Sequence, residues 1–485
     1  MITPEKSEYV RLARDYTLVP VFKEVLADTE TPVSVLQRFD DRENVFLLES
    51  MEGGEKWGRY SFLGVDPLPW LEVDHSRGRT GELEKLRQVY TGVRIAPVPG
   101  LPRFFGGAVG FLGYEAMSEF ERMPAPKPGD GAPVPRSRFL LCDRMIVFDN
   151  VRHTLKIVIS TRPAAAVSPE VAYQQAVREI EAIARLLATH KPVPPASRHA
   201  PVEFRSNMER DEFCRMVEAA KRYIYAGDVI QAVLSQRFSC HTDIPPLQLY
   251  RAIRLLNPSP YTFYLKIGAQ TLVGSSPEVM VRLTGNRVEV RPIAGTRPRG
   301  DTEQADRALA DELLGDEKEK AEHVMLVDLG RNDVGRIAEI GSVQVSDYMV
   351  IERYSHVMHL VSHVQGVLRK EHDAYDVIRA TFPAGTLTGA PKIRAMEIIH
   401  ELEPQARGAY GGAVGYIGYN GNMDLAITIR TMDVSGGNLA VQAGAGIVYD
   451  SDPEREFMET CHKARGMQRA AELAARGLDL NASAI

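Results

Sequence analysis

Cysteine, tryptophan and long apolar runs are all scarce in this chain, and basic charge is not in excess. The four cysteines (Cys142, Cys214, Cys240 and Cys461) form no CxxC pair, which excludes a disulfide framework and a zinc ribbon. A reducing, cytoplasmic setting is the expectation that follows. No apolar run approaches about 20 residues, so no membrane-spanning helix is expected. The opening MITPEKSEYVRLARDY mixes both charge signs around no apolar segment, and no secretion signal is expected. The 58 Lys and Arg against 64 Asp and Glu leave a formal charge of −6, which argues against nucleic acid or an anionic membrane as partner. No GxGxxG follows a strand. FPAGTLTGAPK (382–392) lacks the spacing and the Lys-Ser/Thr ending of a phosphate loop, so a nucleoside triphosphate site is excluded too.

What is present is ordinary globular composition: 44% hydrophobic and 25% charged over 485 residues, enough for about three domains or for one large and one smaller. MPAPKPGDGAPVPRSR (123–138), with five prolines, reads as a surface loop. Ala176, Ile180, Ile183 and Leu187 repeat at helical spacing. The Pro-rich stretch after them divides the chain into an N-terminal α+β region (1–190), a linker (191–205) and a larger unit (206–485). A helix over 210–226 buries Phe213, Val217, Ala220 and Ile224, and a strand over 229–238 puts Gln231, Ser235 and Arg237 on one face. GGAVGFLGY (106–114) recurs as GGAVGYIGY (411–419) at seven of nine positions. Because the flanks differ, close-passing glycine strands are the preferred explanation over a duplication.

Two helices carry paired carboxylates. Asp316 caps a helix with Glu319 and Glu322 at i, i+3; Asp452-Pro453 opens another with Glu456 and Glu459 at i, i+3 and Lys463 four residues on. Taken singly, each pair is a solvated, salt-bridged face. If both faces lined one cleft, four carboxylates would repel, and a hard divalent cation such as Mg²⁺ would relieve them. Spacing alone does not say whether the helices meet. His356, His359 and His363 lie in a strand-like segment, where His359 and His363 would stand about 13 Å apart, too far to share a tetrahedral metal.

RPIAGTRPRG (291–300), EKAEHVMLVDLGRND (319–333), FPAGTLTGAPK (382–392) and GAGIVYDSDPEREF (444–457) resemble, in order and register, the signature blocks of chorismate-utilising enzymes. FLLES (46–50) and NPSPYTF (257–263) extend the likeness into the N-terminal region, nearest to the large subunits of anthranilate synthases. The resemblance implies an α+β fold: a large antiparallel β-sandwich with outer helices and an active site in a cleft. It implies Mg²⁺ held by Glu322 and Glu459, with Glu319 and Glu456 nearby. It implies chorismate bound at Gly295, Thr296, Tyr410, Arg430, Gly444, Ala445 and Gly446. Arg430 is expected on the strand LAITIRT, alternating with Thr428. Glu278 resembles the general acid, His359 the residue assisting the second elimination, Thr386 a ring-side hydroxyl and Lys463 a carboxylate partner or proton donor.

Two positions separate the branches of that family. Members that add water carry a lysine base where this chain has Gln231, and an amide is no base near neutral pH. Aminodeoxychorismate synthases carry a lysine where this chain has Ala294. The resemblance therefore implies attack by ammonia and formation of anthranilate and pyruvate, with aminodeoxychorismate synthesis or a silent tryptophan-sensing subunit as alternatives. None of the four cysteines has the glycine neighbours of a glutaminase elbow, so a glutamine amidotransferase subunit is expected as partner, in a heterotetramer of two large and two small subunits. Ser50, Pro260, Tyr261 and Thr262 resemble an L-tryptophan effector site, although family members often carry methionine at the last position.

Overall fold

Helices form where capping chemistry and apolar spacing coincide. In the computed structural model, α1 (Pro169–Ala188) starts where the Ser168 hydroxyl accepts the Val171 N–H, and it buries Ala176, Ile180 and Ile183. Helix α2 (Arg210–Tyr225) buries Phe213, Val217 and Ala220. At α3 (Glu317–Gly335) the Asp316 carboxylate accepts the N–H groups of Lys318 and Glu319. Helix α4 spans Lys392–Leu402. Helix α5 (Pro453–Ala475) is capped by Asp452, which accepts the Arg455 N–H. The structure describes residues 1–50, 58–125, 127, 136–163, 167–189, 195–354 and 357–480. The Pro-rich loop gives way to strand at Arg136, two residues before its expected end.

Two antiparallel sheets share the main apolar core. The first half of the chain supplies β1 (Val19–Leu26), β2 (Asn44–Glu49), β3 (Tyr60–Gly64), β4 (Leu68–Asp74), β5 (Gly107–Leu112), β6 (Arg136–Cys142), β7 (Arg144–Asp149) and β8 (Thr154–Thr161). The second half supplies β9 (Gln231–His241), β10 (Tyr261–Ile267), β11 (Gln270–Ser276), β12 (Val279–Thr284), β13 (Ala413–Gly418), β14 (Met423–Ile427), β15 (Thr431–Ser435) and β16 (Asn438–Ile447). One sheet contains the order β1-β8-β7-β3-β2-β10-β11-β15-β16-β9, and the other contains β12-β14-β13-β5-β6-β4. Each strand of the first half thus has a counterpart in the second, in mirrored sheet order, and α1 and α5 follow the last strand of their respective halves. The linker near 191–205 separates the two copies along the chain, while both sheets run unbroken across it through the pairs β2–β10 and β5–β13.

The GGAVG echo lies at the centre of this arrangement. Strands β5 and β13 are hydrogen-bonded neighbours, with Gly110 opposite Gly415 and Gly107 opposite Gly418, so each repeat pairs with its own mirror image. The preference for two merely close-passing strands is therefore corrected: the strands do pass closely, and they do so as matching parts of a duplicated unit. Equal close approaches explain the shared glycines. A Cβ on Gly110 would lie 2.0 Å from the Arg138 carbonyl oxygen of β6, and one on Gly415 would lie 2.1 Å from the Asp424 carbonyl oxygen of β14.

The copies differ by one long insertion between β12 and β13. It extends the second sheet with Arg287–Val290, Ile293–Pro298, Gln344–Arg353 and Val357–Val367, and it contributes α3 and α4. Gly110→Ala should lower the free energy of unfolding by about 3 kcal/mol or more in urea denaturation, because the Cβ would run into the β6 backbone at Arg138 and Phe139. A loss below about 1 kcal/mol would contradict this packing.

Candidate active site

The second copy and its insertion carry every residue of the expected catalytic and chorismate sets. Strand β16 is the floor. Gly444 leaves no room for a Cβ, which would meet the Tyr410 hydroxyl at 2.8 Å and the Leu234 carbonyl at 2.9 Å, and at Gly446 a Cβ would push on the Gln231 amide nitrogen, 2.2 Å away. Gln231 begins β9 and donates its side-chain N–H to Glu322 of α3 at 3.4 Å. Lys463 of α5 donates to the Gly444 carbonyl at 3.0 Å and pairs with Glu459 at 2.6 Å. Glu322 and Glu459, from different helices, are thus each one side chain away from glycines two residues apart on one strand, a separation of about 7 Å.

Their electrostatics agree. Burial raises the Glu322 carboxyl above its ordinary pKa, and the negative charges of Glu319 and Glu459 add to the shift; Gln231 and Lys463 oppose it. Glu456 is raised by burial, with Glu459 adding. Glu319 is held by Arg297 at 3.4 Å, and its Oε2 lies 3.2 Å from where a Gly295 Cβ would be. The acidic faces are therefore one charge-coupled cluster. Among the described residues no three His, Cys, Asp or Glu side chains converge tightly enough to ligate an ion as they stand. Lys463, Gln231 and Arg297 occupy the carboxylates instead. The donor set is nevertheless all hard carboxylate oxygen, and the mutual repulsion that these partners only partly offset fits Mg²⁺.

A β-bulge at Gly295 aims the neighbouring groups. The register of Ile293–Pro298 against Val357–Val367 slips between Ala294 and Thr296, and Gly295 takes a left-handed φ of 63°. Its carbonyl accepts the His359 Nδ1–H at 2.9 Å, with the Thr296 hydroxyl 3.1 Å from the same nitrogen. A carbonyl only accepts, so Nδ1 carries the proton and Nε2 has a free lone pair. Burial lowers the His359 pKa, and Arg430 lowers it further, so the ring is neutral. His363 faces a different environment, 3.1 Å from Glu289. His356 lies outside the described residues.

Glu278 and Arg430 sit where the chain crosses between the sheets. The Ile427 N–H donates to the Glu278 carbonyl at 3.0 Å and the Ser275 N–H to the Arg430 carbonyl at 3.1 Å, which locks the two crossings together. The strand expected through LAITIRT is not continuous. It ends at Ile427 and resumes at Thr431 in the other sheet, with Arg430 at the turn and a φ of 47°. The alternation was misread because apolar residues continue through the crossing. The Glu278 carboxyl is pushed up to about 8 by burial, against the opposing pull of the Thr386 hydroxyl and the Ile293 N–H. Thr386, buried beside it, otherwise has no hydrogen-bond partner for its hydroxyl.

The expected effector residues meet elsewhere. Ser50, Pro260, Tyr261 and Thr262 line one cavity at the seam of the two copies, with Arg103, Arg282, Tyr416 and Asp424. Asp424 accepts from Arg103 at 2.9 Å, Arg282 at 3.0 Å and Tyr261 at 2.9 Å. Glu49, also in the wall, is held by Tyr250 and, at 2.9 Å, by Arg254. Thr262 directs its hydroxyl to Ser259 and Ser275 at 3.3 and 3.2 Å. Sequence reasoning missed Asp424, whose signal was an acid inside an apolar strand, and Arg297, inside a block already quoted. It also missed the buried Arg407–Glu403 pair (2.6 Å) behind Tyr410, whose signal was its i, i+4 spacing.

With this geometry in place, the comparisons are specific. A family profile described as chorismate binding enzyme matches residues 44–469. The chain belongs to that family, whose members bind chorismate. Component 1 of anthranilate synthase from Acetivibrio thermocellus is 45% identical, covering 97% of this chain and 99% of that protein. Its counterpart from Acinetobacter calcoaceticus is 47% identical over 96% and 97%. The crystal structure of anthranilate synthase component I from Streptococcus pneumoniae superposes with a TM-score of 0.76 at 35% identity, covering 92% of this chain and 99% of that one. The menaquinone-specific isochorismate synthase MenF of Escherichia coli shares the fold, with a TM-score of 0.70 at 19% identity over 96% and 98%.

A carboxyl whose folded pKa is raised makes the folded state bind more protons than the unfolded one. Stability then falls as pH rises from about 4.5, the unfolded value, to about 8. Glu278→Gln should flatten that fall and raise the unfolding free energy at pH 7 by up to about 3 kcal/mol. Unchanged pH dependence of the melting temperature would contradict the assignment.

Proposed function

We propose that this chain is the large subunit of an anthranilate synthase, converting chorismate and ammonia to anthranilate and pyruvate at the first committed step of tryptophan biosynthesis. The observation that carries this reading is Gln231 in contact with Glu322 beside the β16 glycines. An amide supplies no base for water at that point, whereas ammonia brings its own lone pair. Ala294 beside the bulge leaves no amine for covalent attack on the ring.

Glu322 and Glu459 would hold Mg²⁺, with Glu319 and Glu456 nearby; the ion would serve as template and Lewis acid toward the ring carboxylate. Gly295 and Thr296 flank that carboxylate. Arg430, Tyr410 and the Gly444–Ala445–Gly446 backbone clamp the enolpyruvyl carboxylate. Ammonia adds at carbon 2 as the carbon-4 hydroxyl leaves with a proton from Glu278, which is protonated at neutral pH. Thr386 orients that acid. His359 Nε2 then takes the carbon-2 proton as pyruvate departs and the ring aromatises; Lys463 neutralises the carboxylates beside it.

Incubation with chorismate, Mg²⁺ and ammonium salt should yield fluorescent anthranilate. Glu322→Gln should lower kcat/KM by roughly 10²–10³-fold or more. The rate should fall as pH rises through about 8, a limb absent from Glu278→Gln. Aminodeoxychorismate, isochorismate or no product would overturn the reading.

Ammonia comes, in this reading, from a glutamine amidotransferase subunit, in a heterotetramer of two large and two small subunits. Burial raises the thiol pKa of Cys142, Cys214, Cys240 and Cys461 alike, Cys240 to about 11, which supports the absence of a reactive thiolate in this chain. The seam cavity is the L-tryptophan site; its acids and guanidiniums suit a zwitterion and its aromatic walls an indole. Tryptophan should inhibit the wild type, and Ser50→Phe should raise the inhibitory concentration at least tenfold while leaving kcat within about twofold. Equal inhibition of both would place the effector elsewhere.

A further inference from the structure

Strand β16 continues past the candidate active site into a second chamber. Gln442 lies two residues before Gly444 and on the same face, about 7 Å along the strand. There the face of the sheet opposite the main core is polar and lines a half-open chamber of about 600 Å³, with Tyr410 in the wall between the chamber and Gly444.

The chamber is cationic and incompletely satisfied. Its guanidiniums are Arg136, Arg138, Arg237 and Arg407. Arg136 and Arg138 share the single carboxylate of Glu72, at 3.0 and 2.8 Å, and Arg407 is matched by Glu403. Asp433 is held by the Gln270 amide at 3.0 Å. Arg237 is more than nine-tenths buried, and the carboxylates of Asp433, Glu115 and Glu403 act on it through space rather than by an ion pair. Its Nη2 is taken by the carbonyls of Ala406 and Arg407 and by Gln442, at 3.0, 3.1 and 2.8 Å. Its Nη1 has no hydrogen-bond partner, nor do Arg136 Nε and the fully buried Thr428 hydroxyl, which belong to the same lining. Buried polar groups are ordinarily satisfied, and a buried donor left without an acceptor is costly.

We propose that this chamber is a binding site for a small oxyanion, a carboxylate or a phosphate, held between Arg237 Nη1 and the Thr428 hydroxyl. One three-carbon carboxylate is released next door in the proposed reaction. The pyruvate part of this inference rests on that reading; the oxyanion site does not.

Calorimetric titration with sodium pyruvate and with inorganic phosphate, at constant ionic strength and without chorismate, tests it in an Arg430→Ala background that removes the neighbouring clamp. Each anion should bind saturably. Arg237→Gln should weaken Kd at least tenfold and Thr428→Val about threefold. If Arg237→Gln unfolds, Thr428→Val decides. Tighter binding of pyruvate than phosphate identifies the site as a product station, and the reverse order identifies it as an inorganic-anion site; both support it. No saturable binding in the background, or binding unaffected by either substitution, overturns it. Because no turnover is measured, failure of the proposed reaction would leave this result readable.

Discussion

Mutual repulsion of carboxylates is the constraint on which the catalytic half depends. Burial and like charge raise Glu322 while Lys463, Gln231 and Arg297 hold the cluster together. Such an arrangement is unfavourable for stability alone, since it keeps negative groups coupled around the part-buried Glu322, while Glu459 remains half-exposed. It becomes favourable once a cation or a transition state needs that charge. The neutral His359 and the protonated Glu278 share one cause: burial keeps each uncharged, the state in which the proposed reaction would have them take or give a proton.

The duplicated sandwich explains where these groups lie. Two copies of one strand order share both sheets, and the seam between them is pinned by glycines that no larger residue replaces. Only the second copy carries the insertion, which brings α3, the Gly295 bulge and His359 to strands the copy already had. The first copy has no such addition and contributes instead to the cavity at the seam. Catalytic cleft and seam cavity are therefore separate products of one topology, joined through β13, β14 and the crossing at Arg430.

Much of this was legible in the chain. The caps at Asp316 and Asp452 and the i, i+3 glutamates are local signals that the fold keeps, whereas β9 is buried on both faces from Gln231 to Phe238 and leaves Ile230 exposed outside it. Four blocks in register named the family because each block carries several groups of one site. What spacing could not supply was juxtaposition. Glu322 reaches the β16 glycines through Gln231, a residue 91 positions away in the chain. The GGAVG echo was underread because symmetry appears only when strands pair. The strand through Arg430 was overread because apolar alternation does not mark the point where a chain changes sheets. The polar chamber was invisible because Arg237, Thr428 and Gln442 are unremarkable one at a time.

The central claim is that α3 and α5 present one cation site rather than two acidic surfaces. Anomalous diffraction from a crystal soaked in manganese, a hard-oxygen substitute for magnesium, tests it most directly. The account predicts a single manganese peak ligated by both Glu322 and Glu459, with Lys463 displaced from Glu459. Manganese bound to one helix only, or absent from the space between them, would contradict it.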